Sequence, residues 1–308
     1  MNVQWQKIIK LLIVLLLFAS CSRAGPQKDG LLIAVSIPPQ AWFVSQIGGN
    51  KADTLILVPP GQNPHNYEPT PRQIQSLASA DAWILSGSEF EITLRPGIET
   101  LFPDLLIVDG TAGVNFRLLE DHDDDSHDHV ISLNAQQSEG AVSQSSFEID
   151  RHSWLGAQPA VILANNIWHT FLLLDPENEE FYTERFIETY QEIINTFNDL
   201  KAELAPLRGK SVFVYHPSFG YFLDEFGIRQ EAVETGGKEP TPRQLNDLII
   251  KINAQKPAAI FVQTQFPVNA AKTIADTVGA QVIELDPLAE NWLENIKYMG
   301  QTLKDLTR

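Results

Sequence analysis

Residues Asp175 to Leu204 read DPENEEFYTERFIETYQEIINTFNDLKAEL, and this stretch decides the fold. Its large apolar residues recur every three or four positions: Tyr182, Phe186, Tyr190, Ile193, Phe197, Leu200 and Leu204. That spacing keeps one face of an α-helix apolar. Asp175 is predicted to cap the helix, and Pro176 to occupy its first turn. At about 1.5 Å per residue the helix would span roughly 45 Å, which is long for one small domain.

Short apolar runs that alternate with helical patterns lie on both sides of this stretch. Strands are predicted at 31–37, 53–59, 82–86, 105–109, 211–215, 258–263 and 281–285. Helices are predicted at 40–47, 71–80, 157–174, 219–226, 242–254 and 268–278, and from about 289 onward. Alternation of this kind predicts an α/β fold with two lobes, each a parallel sheet flanked by helices. We expect lobes at 31–174 and 207–308, joined by one long rigid helix at 175–206.

One heptapeptide is nearly repeated in the two predicted lobes. EPTPRQI at Glu68 to Ile74 recurs as EPTPRQL at Glu239 to Leu245. In both copies a threonine can cap a helix whose first residue is proline. Either the lobes are of related design, which we favour, or both copies are merely good helix starts.

The charge of the chain restricts its partners. The 308 residues carry a formal net charge of -17, which argues against nucleic acid and favours cations. The simpler interpretation is that the acidity serves solubility alone.

The N-terminus has the features of an export signal. Lys7 and Lys10 precede the apolar run LLIVLLLFA, which is too short to span a bilayer, and Cys21 follows it. Residues 1–21 resemble a bacterial lipoprotein signal, although Phe18 stands where leucine is usual, and 22–30 read as a tether. We therefore expect a lipid-anchored protein outside the cytoplasm, in a periplasm or on the cell surface; an ordinary signal peptide is the alternative. Because Cys21 is the only cysteine, disulfides and thiolate metal ligands are excluded.

An acidic, histidine-containing insert is predicted at 118–146, within the first lobe. Its candidate metal-collecting residues are His122, His127, His129, Asp121, Asp123, Asp124, Asp125 and Asp128. Such a tract binds divalent cations weakly and need not fold. The alternative is a solvated acidic loop.

Four further residues are candidate metal ligands because of where they lie. His65 lies in a loop before a helix, His152 follows the insert, and His216 and Asp286 each follow a strand. Open α/β sheets bind ligands at such strand ends, so two residues from each lobe could hold a cation in the cleft between the lobes. His169, inside an apolar helical pattern, is interpreted as structural.

These residues stand in the sequence blocks PPGQNPHNYEPTP, DRHSW, YHPSFGYF and LDPL. In order and context the blocks resemble the metal-binding receptors of zinc and manganese ABC importers, over nearly the whole chain from Leu31. The resemblance implies capture of Zn²⁺ rather than Mn²⁺ by a monomeric receptor without enzymatic activity, and delivery to an ABC permease and its ATPase. It implies the zinc branch because manganese relatives tend to have a carboxylate where His216 stands.

Two positions depart from the family pattern. Arg151 replaces the usual proline before His152, and Gln263 replaces the usual glutamate at a strand end. Gln263 could still orient a ligand without binding the metal itself. Three other functions stay open: a receptor for manganese or another divalent metal, a zinc-dependent hydrolase, although no HExxH pair is present, and a surface adhesin lipoprotein.

Overall fold

Two parallel four-stranded sheets form the centres of the molecule. The computed structural model describes residues 30–119, 149–234, 259–266 and 268–306, with Asn246, Ile249, Ile250, 252–254 and Pro257. The first sheet contains β1 (Leu31–Val35), β2 (Ala52–Ile56), β3 (Ala82–Leu85) and β4 (Leu106–Asp109), in the order β2-β1-β3-β4. The second contains β5 (Ser211–Val214), β6 (Arg229–Ala232), β7 (Ala259–Gln263) and β8 (Gln281–Leu285), in the order β6-β5-β7-β8. The two sheets have the same strand order, and the predicted two-lobed α/β class is confirmed.

Helices flank both sheets. They are α1 (Pro38–Gly48), α2 (Pro71–Ser76), α3 (Glu89–Leu101), α4 (Ala157–Leu174), α5 (Glu179–Glu203), α6 (Gly220–Asp224), α7 (Val268–Val278) and α8 (Trp292–Asp305). Further helical residues lie between 246 and 254. None of the helices in the described part of the chain combines the length and apolarity needed to cross a bilayer.

Helix α5 is the predicted long helix, with 25 residues between the lobes. It begins later than expected, because Pro176–Asn178 form a 3-10 turn and Asn178 is the N-cap residue. The expectation that Asp175 caps the helix was wrong: its carboxylate accepts hydrogen bonds from the side chains of Asn178 and Tyr182. Tyr190 is exposed, so the buried face is narrower than the apolar spacing indicated.

Two elements were not predicted. Helix α3 contains Pro96, a residue that ordinarily argues against a helix interior. Strand β6 has the sequence RQEA, whose polar residues give no apolar run, and only pairing with β5 reveals it as a strand. For β6, a tertiary contact overrides the local preference.

The first copy of the repeated heptapeptide forms a helix start. Thr70 and Gln73 make a reciprocal capping box at the N-terminus of α2, with Pro71 in the first turn. The second copy, the export signal, the tether up to residue 29 and most of the predicted insert lie outside the described residues.

One continuous hydrophobic core includes residues of both lobes. The indole of Trp292, on α8, lies against Trp42 and Phe43 of α1, with ring centroids 5.2 and 4.8 Å apart. Trp292 Nε1 donates to the carbonyl of Trp154 at 2.7 Å, and Trp154 Nε1 donates to the carbonyl of Pro287 at 2.8 Å. These contacts fix the second lobe against the first, close to the predicted ligands.

Candidate metal centre

Three histidines from distant parts of the chain meet between the lobes. His65 lies in a 3-10 turn beyond β2, where its backbone N–H donates to Asn63 Oδ1 at 3.0 Å. His152 precedes a second 3-10 turn, and His216 follows β5. His152 and His216 are each only 6% exposed, whereas His65 is half-buried. The pocket is therefore open on the His65 side.

The Nε2 atoms of the three imidazoles converge. His65 Nε2 lies 3.2 Å from His152 Nε2 and 3.0 Å from His216 Nε2. One ring nitrogen from each residue lies within 4.8 Å of the others. In the described part of the chain, no other group of histidine, cysteine or acidic side chains comes together in this way.

A carboxylate lies behind each imidazole. The Nδ1 atoms of His65, His152 and His216 lie 3.0, 2.8 and 2.8 Å from carboxylate oxygens. The partners are Glu89, Asp150 and Glu234 respectively. An ionised carboxylate can only accept a hydrogen bond, so we assign the ring proton to Nδ1 in each histidine. Each Nε2 then carries a lone pair that points toward the other two.

Two of these carboxylates are held in the ionised form. Burial raises the pKa of Asp150, but the hydrogen bond with His152 and the guanidinium of Arg117 outweigh it and lower the pKa overall. Glu89 behaves in the same way: burial raises its pKa, and His65 and Arg151 bring it below its ordinary value. Both groups therefore remain acceptors at neutral pH and fix the tautomers of their imidazoles.

The third imidazole is kept neutral by its surroundings. Burial lowers the pKa of His216 to about 4; the hydrogen bond with Glu234 opposes this shift, and the neighbouring His152 and His65 add to it. The His216 ring also stacks on Phe266, with centroids 4.6 Å apart. A neutral, immobilised imidazole is the form that ligates a metal ion.

The donor set fits a divalent cation. Zn–N bonds of 2.0–2.1 Å in a tetrahedral site place neighbouring nitrogens about 3.3 Å apart, which is close to the separations of His65 Nε2 from the other two Nε2 atoms. Three facing lone pairs repel one another unless a cation or a proton lies between them. Three imidazoles also leave a fourth tetrahedral position open.

Asp286, the fourth predicted ligand, is not part of this histidine cluster, and its carboxylate contacts other residues. Its Oδ1 accepts from Gln265 Nε2 at 2.6 Å and from the backbone N–H of Leu288 at 2.9 Å. Among the described residues, the cluster of mutually close ligand atoms contains the three histidines and not Asp286.

Gln263 contacts His216 through the backbone. Its side chain is fully buried, accepts from the His216 N–H at 3.3 Å, and donates to the His216 carbonyl and to Ser218 Oγ. It therefore fixes the turn that carries the imidazole. His169 is exposed on α4, where its ring lies 4.5 Å from that of Trp168, so the apolar sequence context did not indicate burial correctly.

Sequence reasoning missed the three supporting carboxylates. Glu89 and Glu234 lie 24 and 18 positions from the histidines they contact, and nothing in the local sequence links them. Asp150 had a signal, because an aspartate two positions before a histidine can accept from both its backbone and its ring. Arg151, the departure from the family pattern, pairs with Glu89 at 3.2 Å and donates to the Gly87 carbonyl.

The family described as "ZnuA: Zinc-uptake complex component A periplasmic" matches residues 33–306. A curated relative from Streptococcus anginosus, the manganese ABC transporter substrate-binding lipoprotein PsaA, is 26% identical over 96% of this chain and 93% of its own length. The iron ABC transporter substrate-binding lipoprotein MtsA of Streptococcus pyogenes serotype M1 is 25% identical over 86% of this chain and 83% of its own length. A crystal structure of ZnuA is 29% identical, with a TM-score of 0.78 over 90% of this chain and 99% of that chain. The names of the family and of these relatives thus include three metals.

Proposed function

The chain belongs to the ZnuA family of substrate-binding proteins of metal ABC importers, and from this premise we propose that it captures Zn²⁺ and delivers it to an ABC permease. Members of the family are receptors and not enzymes, which removes the basis for the hydrolase hypothesis. The description as a metal-binding protein of an ABC transporter fits the family named for zinc and the relatives named for manganese and iron alike.

The observation that carries the proposal is the convergence of three Nε2 lone pairs. Each imidazole is fixed through Nδ1 by a carboxylate, so the site is organised before the metal arrives. Little side-chain ordering then remains to oppose binding, which favours high affinity.

The nitrogen-rich donor set favours zinc over manganese. Imidazoles suit Zn²⁺, whereas carboxylates and other oxygen ligands suit Mn²⁺. The family description names zinc, while the sequence relatives named for manganese and iron are 25–28% identical. We therefore propose His65, His152 and His216 as the zinc ligands, with Asp286 outside the first coordination sphere.

The setting we propose is extracytoplasmic. The relatives are named lipoproteins, which supports attachment through Cys21 to a lipid on the outer side of the membrane. Substrate-binding proteins of ABC importers work with a membrane permease and an ATPase, which are the proposed partners. Collection of zinc by the acidic insert, a monomeric state and a second role in adhesion stay predictions.

Competitive titration of metal-free protein against a chromophoric chelator tests the proposal. We expect Zn²⁺ to bind at one tight site with a Kd well below micromolar. Replacement of His216 by alanine should weaken binding by at least about 100-fold, because a ligand and its carboxylate support are both lost. The exposed His169→Ala is the matched control and should bind zinc like the original protein. Equal zinc affinity in both variants would exclude the three-histidine site.

A further inference from the structure

The carboxylate of Asp286 is fastened beside the three-histidine centre. Gln265 lines the same pocket as the three histidines, and its Nε2 lies 2.6 Å from Asp286 Oδ1. The same oxygen accepts the backbone N–H of Leu288 at 2.9 Å, and the Asp286 carbonyl accepts from Asn295 Nδ2 at 2.7 Å. Side chain and backbone of Asp286 are thus both held by neighbours other than the histidines.

We propose that Gln265 determines metal preference by holding the Asp286 carboxylate out of the coordination sphere. This inference rests on the proposed function, since it concerns which ion the three imidazoles accept. Zn²⁺ is satisfied by four ligands, and three imidazoles with one further ligand complete its sphere. Mn²⁺ favours oxygen ligands and commonly a larger number of them, so a site without a carboxylate binds it poorly.

Glu89 also lines the pocket, and both of its carboxylate oxygens already have partners. One oxygen of Glu89 lies 3.0 Å from His65 Nδ1, and the other lies 3.2 Å from Arg151 Nε. Turning Glu89 toward a metal would break both contacts. Of the two donors on Asp286 Oδ1, Leu288 donates through its backbone and Gln265 through its side chain, so Gln265 is the donor that a substitution can remove.

The test compares the affinities of the full chain for Zn²⁺ and Mn²⁺. Free Mn²⁺ is measured by its electron paramagnetic resonance signal, and Zn²⁺ by chelator competition. In Gln265→Ala we expect Mn²⁺ affinity to rise between about 10-fold and about 100-fold, the range for loss of one hydrogen bond to a charged group. Zinc affinity should change by less than about threefold, because the three imidazoles are untouched.

Adding Asp286→Asn to Gln265→Ala should abolish the gain for Mn²⁺, since an amide is a much weaker ligand than a carboxylate. Gln301→Ala is the matched control: Gln301 also donates to an aspartate, Asp305, at 2.9 Å, but on the exposed face of helix α8. It should leave both affinities unchanged.

Three outcomes would overturn the inference. Unchanged Mn²⁺ affinity in Gln265→Ala, while zinc still binds through the histidines, would overturn it alone. So would a loss of zinc affinity in Asp286→Asn as large as that in His216→Ala, because Asp286 would then already be a ligand. Failure of the original protein to bind either metal would overturn the proposed function and the inference together.

Discussion

His216 combines deep burial with a functional requirement for neutrality. Its pKa is lowered to about 4, chiefly because protonation would place a positive charge in a desolvated site. In the unfolded chain a histidine titrates near pH 6.5. Between these two values the unfolded state binds a proton that the folded state rejects, so stability falls as pH is lowered through this window.

We therefore predict that the metal-free protein loses up to about 3 kcal/mol of unfolding free energy between pH 6.5 and pH 4 through this residue. Above pH 6.5 His216 is neutral in both the folded and the unfolded state, so it causes no loss of unfolding free energy there. Urea unfolding at several pH values measures it, and His216→Gln should flatten the pH dependence in this window. The exposed His169→Gln should not. A His216→Gln variant with the original pH dependence would contradict the prediction.

At the scale of residues, sequence context located the three imidazoles but not what surrounds them. His216 follows a strand, His65 lies in a proline-rich loop and His152 follows the insert, and such positions can be recognised without coordinates. Glu89 and Glu234 become partners only because the fold brings α3 and β6 beside distant loops. The Asp286 carboxylate also accepts from a side-chain amide, that of Gln265, and no pattern in the sequence specifies this contact.

At the scale of elements, the junction between α4 and α5 depends on one buried polar contact. Tyr182 is fully buried in the first turn of α5, and its hydroxyl donates to Asp175 Oδ2 at 2.7 Å. Its ring stacks on Phe171 of α4, with centroids 4.7 Å apart. The helical period of the sequence predicted the burial of the ring, whereas the hydrogen bond back to the preceding turn was not predicted.

Tyr182→Phe should destabilise the protein by about 1–2 kcal/mol, because a hydrogen bond to a charged group is lost while the ring remains. Chemical unfolding monitored by circular dichroism measures the change. Tyr190→Phe, on the exposed side of the same helix, is the matched control and should lie within about 0.5 kcal/mol of the original protein. Equal stability of the two variants would show that the Asp175 contact does not hold this junction.

At the scale of the whole molecule, the lobes are coupled by packing and by polar contacts. Arg117 of the first lobe pairs with Asp150 at 2.8 Å and with Asp224 of the second lobe at 3.0 Å. Tyr221 donates to the Asp150 carbonyl at 3.1 Å, so the carboxylate that supports His152 belongs to a contact between lobes. The long helix was predicted as a spacer, but it is also part of the core that both lobes share.

A shared core predicts that the lobes unfold together. Calorimetry of the metal-free protein should show one transition, with equal calorimetric and van't Hoff enthalpies, because strands of both sheets pack into one shared core that is larger than the separate cluster of either lobe. Trp292→Phe removes the indole N–H that reaches Trp154 and should cost about 1–3 kcal/mol, lowering the single transition without splitting it. Tyr298→Ala, on the exposed face of α8, is the control and should leave the transition temperature almost unchanged.

Zinc at 100 times its Kd should raise the temperature of the same single transition and add about 2.7 kcal/mol of stability, since its ligands come from both lobes. Two separate transitions, of which zinc moves only one, would show instead that the lobes are independent units that the helix merely tethers.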